Sequence, residues 1–160
     1  MKPYMTDIVS ENRLMQLHPG VRDAALSAYR EAVRITPVGV HPYITETLRS
    51  FDRSNELYAQ SRTKPGKKVT NAPGGSSFHN YGLAIDFVIQ VHGLPKWEVN
   101  DNWMKVVSAF KNHGFIWGGD FKSLKDYPHF EMTFGFTWRQ LLAKYNKKDF
   151  MPGTTYLKLT

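Results

Sequence analysis

The residues able to do chemistry fall in two short stretches, SSFHNYGLAIDF at 76–87 and DYPHFE at 126–131. If 82–87 is extended, its side chains alternate, so Gly82, Ala84 and Asp86 share one face while Leu83, Ile85 and Phe87 share the other. The second face is apolar and belongs in a core. The first carries two minimal side chains ahead of a carboxylate, the pattern expected where bulk would block access to a charge. A glycine inside a strand also suggests close approach by a ligand or another backbone. His79, at the mouth of this strand, turns back over the same face. In the second stretch Pro128 fixes its own φ and pushes Tyr127 toward extended backbone, stiffening the chain just before His129. Beyond it, His129 and Glu131 point to one face and Phe130 and Met132 to the other.

Two imidazoles and one carboxylate, His79, His129 and Asp86, make a nitrogen and oxygen donor set that suits zinc and leaves a fourth position for water. Such a water has its pKa lowered from about 15.7 toward roughly 7, and a carboxylate beside it accepts the proton and passes it to a departing amine. Asp126 is the candidate for that base, since it lies three residues before a ligand and the Tyr127-Pro128 turn brings it in; Glu131 is the alternative. Ser77 has no evident base partner, which argues against a serine nucleophile; hydrogen bonding that orients a ligand or the loop is the better reading. The chain has no cysteine, which excludes disulfides, thiolate metal sites and cysteine nucleophiles. His18 at a helix start, His41 before Pro42 in a turn, His92 before Gly93 after a strand, and His113 beside Gly114 read as caps and loop residues. Trp117, next to Gly118 and Gly119, either lines a groove or fills the core; Trp97, Trp103 and Trp138 read as core or partly buried surface.

These residues need a frame. Apolar positions recur at helical spacing over 7–16 and 19–34, with Pro19 suited to a first turn. YITETL at 43–48 alternates as a strand, and 52–61 reads as a helix begun by Ser50 or Asp52. The stretch 62–77, RTKPGKKVTNAPGGSS, bars regular structure; its flanks are too small for separate cores, so it reads as a long surface loop. A strand over 83–91, a helix over 100–112 closed at Gly114, a strand over 129–134 and a helix over 137–145 complete the series. Helices around a few strands without a βαβ rhythm imply an α+β fold with a small, mainly antiparallel sheet. One domain over residues 1–160 is the expectation at this length.

With 41% hydrophobic and 22% charged residues the composition is that of a soluble fold, and no apolar run approaches the roughly 18 residues of a membrane span. The start, MKPYMTDIVSENRL, lacks an apolar core and a small-residue cleavage signature, so no secretory signal is expected. A net charge of +7 and a pI near 9.6 imply attraction to polyanions. The basic residues are scattered apart from Lys64/Lys67/Lys68 and Lys144/Lys147/Lys148, neither of which resembles a nucleic-acid motif. A solvated basic face is expected, with no nucleic-acid partner.

Ser77, His79, Gly82, Ala84 and Asp86 match S-x-H-x-x-G-x-A-x-D, and the chain resembles the zinc D-Ala-D-Ala peptidase superfamily, which shares a fold with the hedgehog signalling domain. Through ELYAQSRTKPGKKVTNAPGGSSFHNYGLAIDF, FIWGGDF and DYPHFE it is similar to the L-alanyl-D-glutamate endopeptidases of phage endolysins and bacterial cell-wall hydrolases. The resemblance implies zinc on His79, Asp86 and His129, Asp126 as base, and Arg49 in ITETLRS, on the strand before the long loop, stabilising substrate or oxyanion. Relatives often carry Gly where this chain has Ser61. The implied activity is hydrolysis of the L-Ala-D-Glu bond of peptidoglycan stem peptides. The alternatives are a D,D-carboxypeptidase or dipeptidase acting on D-Ala-D-Ala, and a non-catalytic cell-wall binding module, against which an intact Asp126 argues. A monomer acting on the cell wall or periplasm, its basic surface available to anionic wall polymers, is the matching expectation.

Overall fold

Asp7 opens the first helix by accepting the backbone N–H of Ser10, and α1 follows over Ile8–Leu14. The computed structural model describes residues 5–160, so the part of the leader expectation that falls on 1–4 lies outside the described residues. In α2, Pro19–Ile35, the buried residues Val21, Ala25, Ala28, Tyr29, Ala32 and Val33 form one stripe, and Pro19 occupies the first turn while His18 caps the Gly20 N–H. That stripe packs on α4, Asp101–Asn112, through its buried Trp103, Val106, Val107 and Phe110. The shorter α3, Phe51–Ala59, and α5, Trp138–Asn146, start at Ser50 and Thr137, whose hydroxyls accept the N–H three residues on.

The strands are β1, Val40–Glu46; β2, Ala84–Val91; β3, Leu94–Lys96; β4, Ile116–Trp117; and β5, His129–Glu131. Every pairing is antiparallel, in the order β1-β2-β5-β4, with β3 also on β2. One edge of β2 is given to β1, and the other is divided: Ala84 to Asp86 pair with β5 and Ile89 to Val91 with β3. The α+β class with a small antiparallel sheet is therefore as expected, and 62–77 carries no helix or strand. Strand ends differ: β1 begins at Val40 and stops at Glu46, and β5 stops at Glu131 rather than running to 134. At three and two residues, β3 and β4 are too short to leave a periodicity in the sequence. Among the described residues no helix is long and apolar enough to cross a membrane.

An aromatic column stands behind the central strands. Phe87 of β2 stacks on Phe130 of β5 at 5.2 Å, Phe130 on Phe110 of α4 at 4.4 Å, and Phe87 lies 4.4 Å from Trp103. Because strand side chains alternate, burying Phe87 and Phe130 turns Asp86 and His129 to the other face. A one-residue slip would put a carboxylate and an imidazole into this column, so the same packing that stabilises the sheet fixes its register. Truncating Phe130 to alanine would cost about 3–5 kcal/mol.

Candidate metal centre and its cleft

His79 sits on a 3-10 helix, Phe78–Tyr81, that is tied at both ends. Ser77 accepts the His79 N–H at 3.2 Å and Asn80 accepts the Ser77 N–H at 3.1 Å, a reciprocal cap, and Gly82 closes the turn at φ 70°. The buried Asn80 side chain also accepts from Gly75 N–H and donates to the Arg49 carbonyl and the Ser54 hydroxyl. Ser77 thus orients the turn that carries His79 through the backbone, as expected. Gly82 does not: it is left-handed rather than extended, and a β-carbon there would meet the backbone nitrogen of His18 at 2.6 Å. It serves a close approach of backbone to backbone, and since Ala84 is itself buried, the small residues do not open a path to Asp86.

Nδ1 of His79 donates to the Thr47 carbonyl at 2.7 Å. A carbonyl only accepts, so this bond places the proton on Nδ1 and leaves the lone pair on Nε2. That Nε2 is buried without a hydrogen-bond partner and lies 3.2 Å from Oδ1 of Asp86, out of hydrogen-bonding alignment. Across the sheet His129 pairs with Asp86, its Nδ1 lying 3.1 Å from the same Oδ1 while Nε2 donates to Glu131 at 2.8 Å. The three donor atoms lie within 4.8 Å of one another. Tetrahedral zinc, with bonds of about 2.0–2.1 Å, needs donors roughly 3.3 Å apart, so the residues fit the ion. Each ring is held on its far nitrogen by an acceptor, the usual support for ligating histidines.

The electrostatics call for a cation here. Burial works against the Asp86 carboxylate, yet His79 and His129 outweigh it and hold the group far below the ordinary carboxylate range. Burial also disfavours charge on His129, but Asp86 and Glu131 overcome it and raise the imidazole to about 10. In the absence of metal the cluster keeps a proton where a cation would otherwise sit.

Asp126 lies beside this centre, its Oδ2 3.9 Å from His129 Nδ1 and its side chain half exposed. Burial, helped by Asp86 and Glu131, raises its pKa above the ordinary value despite the opposing pull of His129 and His79. Its turn is fastened by the backbone of β2 and of the 3-10 helix Gly118–Asp120: Asp126 N–H donates to the Gly118 carbonyl, and Phe87 N–H to that of Pro128. Two indoles, Trp117 at 2.8 Å and Trp103 at 3.3 Å, donate to the single carbonyl of Tyr127. Glu131, the alternative base, instead serves the far nitrogen of His129. Arg49 follows β1 by three residues rather than lying on it; its guanidinium is clamped by Glu46 and sits 4.0 Å from Asp86. Burial disfavours its charge, but Glu46, then Asp86 and Asp126, more than offset that.

These side chains line a cleft of about 480 Å³, walled by Val69, Thr70, Ser77 and Trp97. Of the two readings of Trp117 the core one holds, and Trp97, expected as core or partly buried surface, is the tryptophan that lines the cleft. Trp117 is buried and structural, whereas Trp97, just past β3, is exposed and lines the cleft because the β2-β3 hairpin swings it there. His41 lies in β1 rather than in a turn and binds Asp7 at 2.7 Å; His18 caps α2 and His113 caps α4. His92 takes a hairpin turn at φ 49°. Of the supporting residues, Glu131 announces itself by sharing a face with His129. Thr47 acts through its carbonyl, which no side-chain pattern encodes.

Residues 70–132 match the family model described as D-alanyl-D-alanine carboxypeptidase, a segment that contains all three candidate ligands and Asp126 but not Arg49. The chain is 47% identical over 125 residues to the peptidoglycan L-alanyl-D-glutamate endopeptidase CwlK of Bacillus subtilis, covering 72% of this chain and 73% of that one. It is 32% identical over 84 residues to an L-alanyl-D-glutamate peptidase of a Listeria phage, 49% of this chain and 30% of that protein. Its structure is similar to the crystal structure of the Serratia marcescens L-Ala D-Glu endopeptidase ChiX, with a TM-score of 0.57 and 29% identity over 81% of this chain and 90% of that one.

Proposed function

The chain belongs to the family of peptidoglycan L-alanyl-D-glutamate endopeptidases, and on that premise we propose that residues 1–160 act as one zinc peptidase domain cutting the L-Ala-D-Glu bond of peptidoglycan stem peptides. The observation that supports it best is the buried, unpartnered Nε2 of His79 beside Asp86 and His129, each ring held on its other nitrogen.

His79 Nε2, Asp86 and His129 Nδ1 would hold a zinc ion, which would supply Lewis acidity to polarise the scissile carbonyl and to make a neighbouring water a stronger acid. Asp126 takes the water proton as the water oxygen bonds the L-Ala carbonyl carbon, and delivers it to the D-Glu nitrogen as the C–N bond breaks. Its raised pKa makes it the better base. Arg49 donates to the carbonyl oxygen as negative charge builds there. Thr47 and Glu131 keep the two imidazoles from rotating. The net charge of +7 draws the protein to anionic wall polymers without contributing to the chemistry.

Digestion of purified peptidoglycan, with mass identification of the new termini, tests this. New N-terminal D-glutamyl ends should appear, vanish with chelator, return with zinc, and be absent with Asp126→Ala. Release of free D-alanine instead would indicate a D,D-carboxypeptidase, the activity in the matching family model's description.

A further inference from the structure

Glu46 occupies the place where the β1-β2 ladder slips. Ile44 pairs with Phe87 and Glu46 with Asp86, so Thr45 is an extra residue in β1. Directly opposed residues of an antiparallel pair share a face. In an unbroken ladder Glu46 would fall opposite Ile85, with its carboxylate on the core side. The bulge turns it to the cleft side beside Asp86, as bulges near active sites re-aim side chains.

The carboxylate delivered in this way grips Arg49 as a fork, Nε to Oε1 at 2.7 Å and Nη2 to Oε2 at 2.5 Å. The Arg49 side chain is only 10% exposed, and among the described residues its Nη1 takes no protein acceptor. Two other acids compete for it: Asp86, whose Oδ2 is 4.0 Å from Nη2, and Asp126, which lines the same cleft. A guanidinium released from Glu46 would close on one of them, and each has another task, as ligand or as base.

We infer that Glu46 is a positioning residue: it holds the Arg49 guanidinium by two nitrogens, leaves Nη1 for the substrate oxygen, and keeps the charge off Asp86 and Asp126. The inference rests on Arg49 as oxyanion donor and goes beyond it in assigning a role to a residue outside the zinc set and the base.

The test is a double-mutant cycle on the zinc-loaded full chain, with kcat and KM measured for Glu46→Gln, Glu46→Asp, Arg49→Ala and Glu46→Gln/Arg49→Ala. Loss of a preorganised donor lowers kcat by about 10²–10³-fold, the expectation for Arg49→Ala. Glu46→Gln should lower kcat by roughly tenfold or more, with KM within about twofold and zinc content unchanged, and Glu46→Asp should recover part of the loss. In the Arg49→Ala background the Glu46→Gln change should alter kcat by less than about twofold. Independently of turnover, the Arg49 Nε–H proton seen by NMR in the metal-free protein should be protected from exchange and lose that protection in Glu46→Gln. Equal losses in both backgrounds, or unchanged protection, overturn the inference. Wild-type kcat in Arg49→Ala would overturn the reading of Arg49 itself.

Discussion

Gly118→Ala tests whether Asp126, the proposed base, is held by the backbone beneath it. A β-carbon at 118 would lie about 1.3 Å closer to the Asp126 carbonyl oxygen than the 3.4 Å at which ordinary contact begins, and would also crowd Asp126 Cβ. The obstacle is backbone, so no side-chain rotation relieves it. The Gly118 carbonyl accepts from both Asp126 and Phe121 N–H, which ties the two segments together and forces the shift onto the Asp126 turn. Misplacing a reacting group by about 1 Å costs roughly 10²-fold, so kcat on a stem-peptide substrate should fall at least that far. Overpacking costs about 1–3 kcal/mol, or roughly 2–12 °C in Tm for a chain of this size. His129 donates its N–H to the same Asp126 carbonyl but is also paired with Asp86 in the sheet, so metal content should fall far less than kcat. Steady-state kinetics, metal analysis and thermal melts on one preparation separate these effects. A variant with wild-type kcat would refute the claim that Asp126 depends on this contact.

Asp7 is predicted to give acid-sensitive stability. Burial raises its pKa, but His41, Ser10 and Tyr29 outweigh that and leave it below 3.8, so its contribution is present above that value and lost as pH falls through the folded pKa. Asp7→Asn should cost about 1.5–3 kcal/mol in urea melts at pH 7, a difference that closes below about pH 4; a gap constant down to pH 2.5 would contradict this. Trp97→Ala should raise KM for peptidoglycan with little change in kcat, since the exposed indole lines the cleft away from the reacting groups; a pure kcat effect would count against it. Ser61→Gly should stabilise by about 0.5–1 kcal/mol, because Ser61 holds φ 65°, where a β-carbon is strained; a lower Tm would refute it.

The positions of Asp86 and His129 were readable because a strand's alternation ties each to a core aromatic neighbour, and helix starts at Ser50, Asn100 and Thr137 were readable because a side-chain oxygen must satisfy free N–H groups there. Ser61 carried its signal as well, a departure from glycine at a left-handed position. What escaped depends on partners distant in sequence. Gly82 is small because of His18, Trp97 reaches the cleft through a hairpin with a three-residue strand, and the bulge at Thr45 exists only relative to β2. Trp117 beside two glycines could be read as groove wall or core, and what decides for the core is a carbonyl ten residues on that takes its N–H.

The two imidazoles are braced by unlike acceptors, an amide oxygen for one and an ionisable side chain for the other. The carbonyl brace accepts without carrying a charge, while the carboxylate brace sets a negative charge beside the ring that it holds. The ring on β5 is therefore steadied by charge as well as by direction, and the ring on the 3-10 turn by direction alone, so the two halves of one centre are built on different physical footings.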